Sequence, residues 1–411
     1  MKPEMARVAV IGAGVVGVAS AYLLAKSGHD VTLIDASAGP GRGASAGNAA
    51  QLSWAYGDAM ASPALLRHLP AIAMGRDPAF RLRWQLDPDF FRWGLRFLAN
   101  TPFSRWWSNT QDILALAEQS RRELATLLTD VDIAFDYRVA GKLHLYPDKA
   151  SVAAAEAGIA RKTALGLEQR MLSRTEAEKL EPALCRYQAE IGGAIYTPGD
   201  ALGDAAAFCC QLTDHMVKRY QISTMFGRRV TGFALRGDRL VGLNFDDREP
   251  LQVDSVVVAA GPQLRLLAPE FAEARSIRPV RGYSLTVPAS SAAPLISLTD
   301  VSRKLAFASI GNRFRVAGLA DIDPPGSGFD ADRFNTLRQS ATAVLPNVFG
   351  GAENLMQWSG ERPMTPSSRP IIAASRHLRG VYINAGHGML GWTLSLGSAR
   401  RMANMIDAAD R

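Results

Sequence analysis

Along this chain the apolar positions change period several times, and each change marks an element. Residues 8–11 form an unbroken apolar run, the pattern of a strand buried on both faces. The run meets Gly12-Ala13-Gly14-Val15-Val16-Gly17, after which helical spacing holds to residue 27 and stops at Gly28. A second strand over 30–34 delivers Asp35. Further helices are predicted over 110–128, 149–165 and 205–219. Strands are predicted over 192–197, 222–226, 230–235 and 240–245, and residues 135–146 read as a β-hairpin turning at Ala140-Gly141. Two late apolar runs, 253–260 and 380–384, each end in glycine, as buried parallel strands do where their carboxyl ends approach a ligand. The predicted class is α/β at the termini and α+β over the whole chain.

The first strand–turn–helix has the parts of a dinucleotide grip. Gly12 suits a tight turn, Gly14 lets a pyrophosphate approach backbone, Gly17 permits close helix–strand packing, and Asp35 can accept from a ribose hydroxyl. The helix start adds free N–H donors and a partial positive charge. Val10, Ala13, Val15, Val16 and Ala36 complete this stretch. The segment that follows, to Gln51, is dominated by small residues, among them Ser45, Asn48 and Ala49, and can lie close to a flat ligand. An ordinary glycine-rich turn and a flexible loop are the alternatives. The motif does not by itself separate FAD from NAD. The dispersal of ligand-type elements, out to Ala260-Gly261 and then Gly386, Gly388 and Gly391, favours a long, extended FAD.

At 411 residues, with ordinary composition, the chain is long enough for two or three domains. The N-terminal apolar run lacks the pattern of a secretory signal, and no apolar stretch is long enough to span a membrane. Three cysteines make no disulfide framework, so a reducing, cytoplasmic setting is expected; Cys209-Cys210 reads as two small residues on a helix. A net charge of +7 with no accompanying motif does not indicate nucleic acid. No metal site is expected. Residues 63–107 differ in texture: Trp84, Trp93, Trp106 and Trp107 are interleaved with arginines and an apolar stripe. That pattern suits either packing on a partner domain or peripheral contact with the inner face of the cell membrane.

Taken together, the motifs resemble the FAD-dependent D-amino-acid oxidase superfamily, in particular its bacterial D-amino-acid dehydrogenases of the small-subunit type. The residues that carry this are 10–17, 46–49, Gly203-Asp204, 256–262, 279–286, 313–318, Trp358-Ser359-Gly360-Glu361-Arg362-Pro363-Met364-Thr365-Pro366 and Asn384-Ala385-Gly386-His387-Gly388-Met389-Leu390-Gly391-Trp392-Thr393. The resemblance implies a Rossmann-like FAD domain (1–70, 148–175, 199–275 and 350–411) interleaved with a substrate domain of antiparallel sheet and helices (71–147, 176–198 and 276–349). It implies non-covalent FAD and loss of a D-amino acid's α-hydrogen as hydride to flavin N5. The resulting imino acid is hydrolysed to a 2-oxo acid and ammonia, and the electrons pass to a quinone or other respiratory acceptor. Homo- or hetero-oligomers are both compatible with it.

Site roles follow from the resemblance. Ser45, Asn48 and Ala49 are expected along the flavin or its ribityl chain, Val230 beside the adenine, and Gly386, His387, Gly388, Met389 and Leu390 along the pyrimidine edge. The substrate carboxylate calls for an arginine fork. The strand before Asn312-Arg313 reads Phe307-Ala308-Ser309-Ile310, without the arginine expected there, which leaves Arg281, Tyr283 and Arg362 as anchor candidates. His387 is a candidate for substrate contact, and Tyr56, Gln51, Ser309 and Trp392 for pocket walls. Ser309 and the aromatic content suggest a cyclic substrate such as D-proline or a hydroxy-D-proline. Three alternatives are an oxygen-using amine oxidase of the sarcosine or glycine type, a flavin subunit of a larger dehydrogenase complex, and an NAD-dependent dehydrogenase.

Overall fold

In the computed structural model, which describes residues 6–409 except 248, 270, 325 and 352–354, Arg7–Ile11 is the third strand from one edge of a six-stranded sheet. The strand order is Ile371–Ala374, Val381–Ala385, Ser255–Val258, Arg7–Ile11, Asp30–Asp35, Ser223–Phe226. All pairs are parallel except the first. Residues hundreds of positions apart pair because Val8–Ile11 and Val256–Val258 are apolar on both faces, and only a central position buries both. The outer ends of the first and last expected cofactor segments lie outside the described residues.

The second body is a nine-stranded, mainly antiparallel sheet that includes Met356–Met364, Arg278–Pro288, Arg313–Ile322, Leu305–Ile310, Ser297–Asp300, Lys142–Tyr146, Gly193–Thr197 and Arg170–Leu172 in that order. Its long strands alternate. Tyr283, Leu285, Phe307, Phe314 and Val316 form a core on one face with Phe334, Leu337 and Ala341 of the helix Ala331–Val344. Ala308 and Ile310 of the opposite face pack against Ala50 and Leu202, which belong to the cofactor side.

Three local expectations are corrected. Residues 135–146 are not a hairpin: Lys142–Tyr146 pairs in parallel with Ser297–Asp300 and antiparallel with Gly193–Thr197, so tertiary partners displace the local turn. Within the expected cofactor segments, Arg170–Leu172 and Met356–Met364 are strands of the large sheet, and Lys149–Thr163 packs against it, with Val152 close to Gly193. The helix Phe103–Asp130, expected in the substrate domain, instead packs on Gly391–Ala409 in the cofactor core. The Gly397 N–H donates to Ser120 Oγ there, and a Cβ at Gly397 would stand 2.7 Å from the Leu116 carbonyl oxygen.

Candidate active site

The turn after Arg7–Ile11 closes tightly. Gly12 has φ +104°, and a Cβ there would lie 2.5 Å from the Ala259 carbonyl oxygen; one at Gly17 would overlap the Gly12 carbonyl. The helix Val15–Ser27 is therefore pressed onto the strands at Gly17. Its N-cap, Gly14, supplies no side-chain cap, and no acidic residue occupies the first turn. What faces this helix start is the small-residue loop: buried Ser45 accepts from the Val15 N–H at 3.1 Å. Asp35 accepts from the Ala13 and Ser37 N–H groups, each at 2.7 Å. Hydrogen bonds from Arg228 N to Asp35 O and from Gly227 N to Ser37 O bring the loop before Val230 beside it. Ala260-Gly261 follows the neighbouring strand, with Gly261 at φ +56°.

The loops of the cofactor side converge on one face of the large sheet. Arg315, buried, donates from Nη1 to the Asn48 carbonyl (2.9 Å) and from Nε to Thr286 Oγ1 (2.8 Å). Burial pushes its pKa down to about 10. The Trp358 indole lies between Gly47 and Gly360, where a Cβ at either position would overlap the ring. Asn48 Oδ1 accepts from Ala50 N–H and holds the turn next to Ala49. Met364 meets the other cofactor loop: its Sδ would stand 2.5 Å from a Cβ at Gly388, and it bridges to His387. Met389, exposed, and Leu390 complete this loop.

Arg362 stands on this same face. It pairs with Val280, while Gly360 pairs with Gly282. Its guanidinium lies directly over Gly282, where no side chain could be accommodated, and Nη1 donates to the Leu319 carbonyl at 2.7 Å. Burial pushes its pKa down to about 10. Among the described residues neither Arg362 nor Arg315 has a carboxylate within ion-pair distance.

The other anchor candidates face away. Arg281 and Tyr283 alternate with Gly282 and so project from the opposite face. Arg281 Nη2 pairs with Glu361 at 2.9 Å and also donates to the Ser327 carbonyl. Tyr283 is fully buried in the apolar core against Phe329, its hydroxyl without a partner, and burial pushes its pKa up to about 12. Ser309 shares the face of Phe307, and its hydroxyl donates to the Pro294 carbonyl at 2.6 Å. His387 turns its ring into the adjacent helix, where Nε2 meets Ser398 Oγ at 3.0 Å. Because that hydroxyl donates to the Ser395 carbonyl, Nε2 carries the ring proton. Burial pushes the pKa down to about 3, so the imidazole is neutral. Trp392 is a core residue against Phe135 and Phe208, with Nε1 donating to the Gly203 carbonyl. Gln51 donates to the Leu298 and Phe307 carbonyls and pins the small-residue segment to the large sheet. Tyr56 stacks on His144, ring centroids 3.8 Å apart.

Two functional-type residues escaped the sequence reading. Arg315 is one; its signal was the alternation Arg313-Phe314-Arg315-Val316, one turn beyond the strand that lacks an arginine. Trp358 is the other, and only its contact with Gly47 brings it to the site.

The sequence profile of the FAD dependent oxidoreductase family matches residues 7–405. The chain belongs to that family. This oxidoreductase is 36% identical to D-amino acid dehydrogenase 2 of Ralstonia nicotianae, over 97% of its own length and 96% of the relative's. It is 38% identical to a D-amino acid dehydrogenase of Paramagnetospirillum magneticum, over 97% and 94%. Among solved structures it resembles glycine oxidase from Bacillus cereus, with TM-score 0.74, 18% identity and coverage of 98% of this chain and 95% of that one. An L-proline dehydrogenase from P. horikoshii gives TM-score 0.70 at 18% identity, covering 99% and 94%. The fold is thus shared with these enzymes. The residues present fit FAD: a helix start at Gly14 with no acidic residue in its first turn, Asp35 at a strand end, and the tight glycine turn at Gly12 between them. Among the described residues no group of histidine, cysteine, aspartate and glutamate could hold a metal ion.

Proposed function

We propose that this oxidoreductase is a D-amino-acid dehydrogenase in which Arg362 binds the substrate carboxylate. The observation that carries the anchor is a partly buried guanidinium, laid over Gly282, that donates to the neutral Leu319 carbonyl. A buried cation without a counter-ion is stabilised by an arriving carboxylate, and the guanidinium fork matches it in shape. The 32–38% identity to relatives named D-amino acid dehydrogenase supports the reaction class.

Bound here without a covalent link, FAD would supply the acceptor for the substrate's α-hydrogen as hydride. Gly12, Gly14 and Gly17 with the first turn of Val15–Ser27 hold its pyrophosphate, Asp35 its ribose, and Val230 lies by the adenine. Ser45, Asn48 and Ala49 line the flavin side, with Arg315 behind Asn48. The loop Gly386–Leu390 opens the helix Gly391–Ala409, whose positive end favours negative charge on the reduced cofactor. His387 shapes this loop from behind and moves no proton. The amine is oxidised in its neutral form, so no side-chain base is assigned. Water hydrolyses the released imino acid to a 2-oxo acid and ammonia.

Electrons leave to a lipid-soluble quinone. In support, the helix Pro88–Leu98 buries Phe90, Trp93 and Phe97 but exposes Phe91, Leu95 (69% exposed) and Leu98 beside Arg92 and Arg96; Trp84 (63%) and Phe103 extend the patch. Apolar tips among arginines suit an anionic membrane surface. No helix among the described residues is long and apolar enough to cross a membrane.

The test is anaerobic bleaching of the flavin against a panel of D- and L-amino acids, D-proline included. Bleaching by D-isomers supports the reading; bleaching by L-isomers alone overturns it. Turnover with a soluble quinone exceeding turnover with oxygen separates dehydrogenase from oxidase.

A further inference from the structure

The strand Lys142–Tyr146 alternates like its neighbours. Leu143 and Leu145 enter the apolar core, so Lys142, His144 and Tyr146 project from the other face. There they meet the segment that follows Gln51–Leu52. Lys142 Nζ donates to Ser53 Oγ at 2.8 Å and sits 5.0 Å from the centre of the Tyr56 ring; His144 stacks on that ring. Lys142 and His144 are 3% and 1% exposed. This is costly chemistry to bury. Both ring nitrogens of His144 lack a partner, and Lys142 has a neutral hydroxyl. A second ammonium, Lys162, is brought to 5.3 Å from the same ring, but Asp58 pairs with it at 2.5 Å. Buried Asp200 points Oδ1 at the Trp54 N–H, and within ion-pair distance it does not reach Lys142. Burial and the two ammoniums hold His144 neutral, and Asp200 acts on Lys142 only through space; what leaves a place for an anion is that, among the described residues, Lys142 touches no carboxylate and the His144 ring N–H has no acceptor.

The cluster is also in the right neighbourhood. Ser53 N–H donates to Thr393 Oγ1 in the first turn of the helix Gly391–Ala409, and a Cβ at Gly57 would lie 3.9 Å from Leu390, so the segment borders the loop assigned to the flavin and the helix that loop opens. We infer that Lys142 and His144, with Ser53 and Tyr56, form a subsite for a second carboxylate on the substrate's side chain, making an acidic D-amino acid of the glutamate type the preferred substrate. The inference rests on the dehydrogenase reading above. Burial pushes the Lys142 pKa down to about 8, which leaves most of it charged at neutral pH and ready to pair.

The experiment uses the FAD-loaded full chain. Flavin bleaching is followed anaerobically with D-glutamate, D-glutamine and D-norvaline. The second-order rate for D-glutamate is expected to exceed each of the others by about 10-fold or more, the scale of a charge-assisted hydrogen bond made in a dry site. In Lys142→Met the D-glutamate to D-norvaline ratio is expected to fall about 30-fold, and Lys142→Arg to keep much of the preference. A wild-type preference for D-norvaline or D-glutamine overturns the subsite while leaving the dehydrogenase reading standing. So does an unmoved ratio in flavin-loaded Lys142→Met or, should that variant not fold, in His144→Gln. Failure of every D-amino acid to bleach the flavin overturns both.

Discussion

One strand, Arg278–Pro288, separates two kinds of buried charge. On its back face Arg281 pairs with Glu361, and nearby Arg81 and Arg333 share Asp321, Asp323 and Asp330. Each guanidinium there is matched by carboxylates. On the front face Arg362 and Arg315 are given carbonyls and a hydroxyl instead. The back face is finished chemistry that fixes the far end of the sheet. The front face carries cations solvated by neutral dipoles, and these are the ones able to gain from a bound anion. Residue type does not distinguish the two sets, since both are arginines on adjacent registers. Side and partner together do: on the front face Arg278 and Arg313 are matched by Asp87 and Asp204, while Arg362 and Arg315 meet only neutral oxygens among the described residues.

The strongest test of this contrast is Arg362→Met. Truncating one partner of a desolvated charge pair loses several kcal/mol. We expect kcat/KM for the best D-amino acid to drop about 1,000-fold, roughly 4 kcal/mol, with flavin content unchanged. Lys at this position restores part of it, because it keeps the charge but not the fork. A fall of less than about 10-fold would place the anchor elsewhere.

Arg281→Met is the matching change on the back face. It strands Glu361, which is about one-third exposed, so water softens the loss. Stability is expected to fall by about 2 to 3 kcal/mol, read as the midpoint of urea unfolding, while KM per flavin-loaded enzyme stays within twofold. A raised KM with unaltered stability would reverse the assignment of the two faces.

The strand–turn–helix–strand proposed to grip the cofactor was legible because its determinants are local. Gly12, Gly14, Gly17 and Asp35 sit on one strand–turn–helix–strand, and no distant partner is needed to place them. The apolar runs at 253–260 and 380–384 announced the buried parallel strands Ser255–Val258 and Val381–Ala385 for the same reason. The substrate side was legible only in part. Whether Arg281 or Arg362 faces the flavin depends on which face of Arg278–Pro288 packs under the helix Ala331–Val344, and strand alternation alone fixes parity without saying which parity is inside. Residues 135–146 failed as a hairpin because Lys142–Tyr146 finds its partners at 193–197 and 297–300. The pattern Lys-Leu-His-Leu-Tyr in that strand did contain the polar face; nothing local says that the face is buried.

His387 sharpens the contrast from the cofactor side, since it is buried and polar yet spoken for by Ser398. Its folded pKa, about 3, lies below the unfolded value near 6.5. As pH falls through 6.5 the unfolded chain takes up the proton first, so stability declines with acid down to about pH 3. Between pH 7 and pH 5 we expect the wild type to lose about 2 kcal/mol more than His387→Asn, measured by urea unfolding. Because the imidazole moves no proton in the reaction, the pH profile of kcat should keep its shape in that variant. A lost inflection would return His387 to the chemistry.

The smallest effect belongs to Arg315. Its front-face position resembles that of Arg362, but Nε and Nη1 are taken by Thr286 Oγ1 and the Asn48 carbonyl, so we expect it to hold the loop at Asn48 rather than a substrate. Removing a charged hydrogen bond to a loop carbonyl loosens the loop by about 1 to 2 kcal/mol. Arg315→Met is therefore expected to weaken FAD binding about 10-fold, measured by flavin fluorescence on dilution, with KM for the amino acid little changed once FAD is saturating. An unchanged FAD affinity with a raised KM would make Arg315, and not Arg362, the residue that meets the carboxylate.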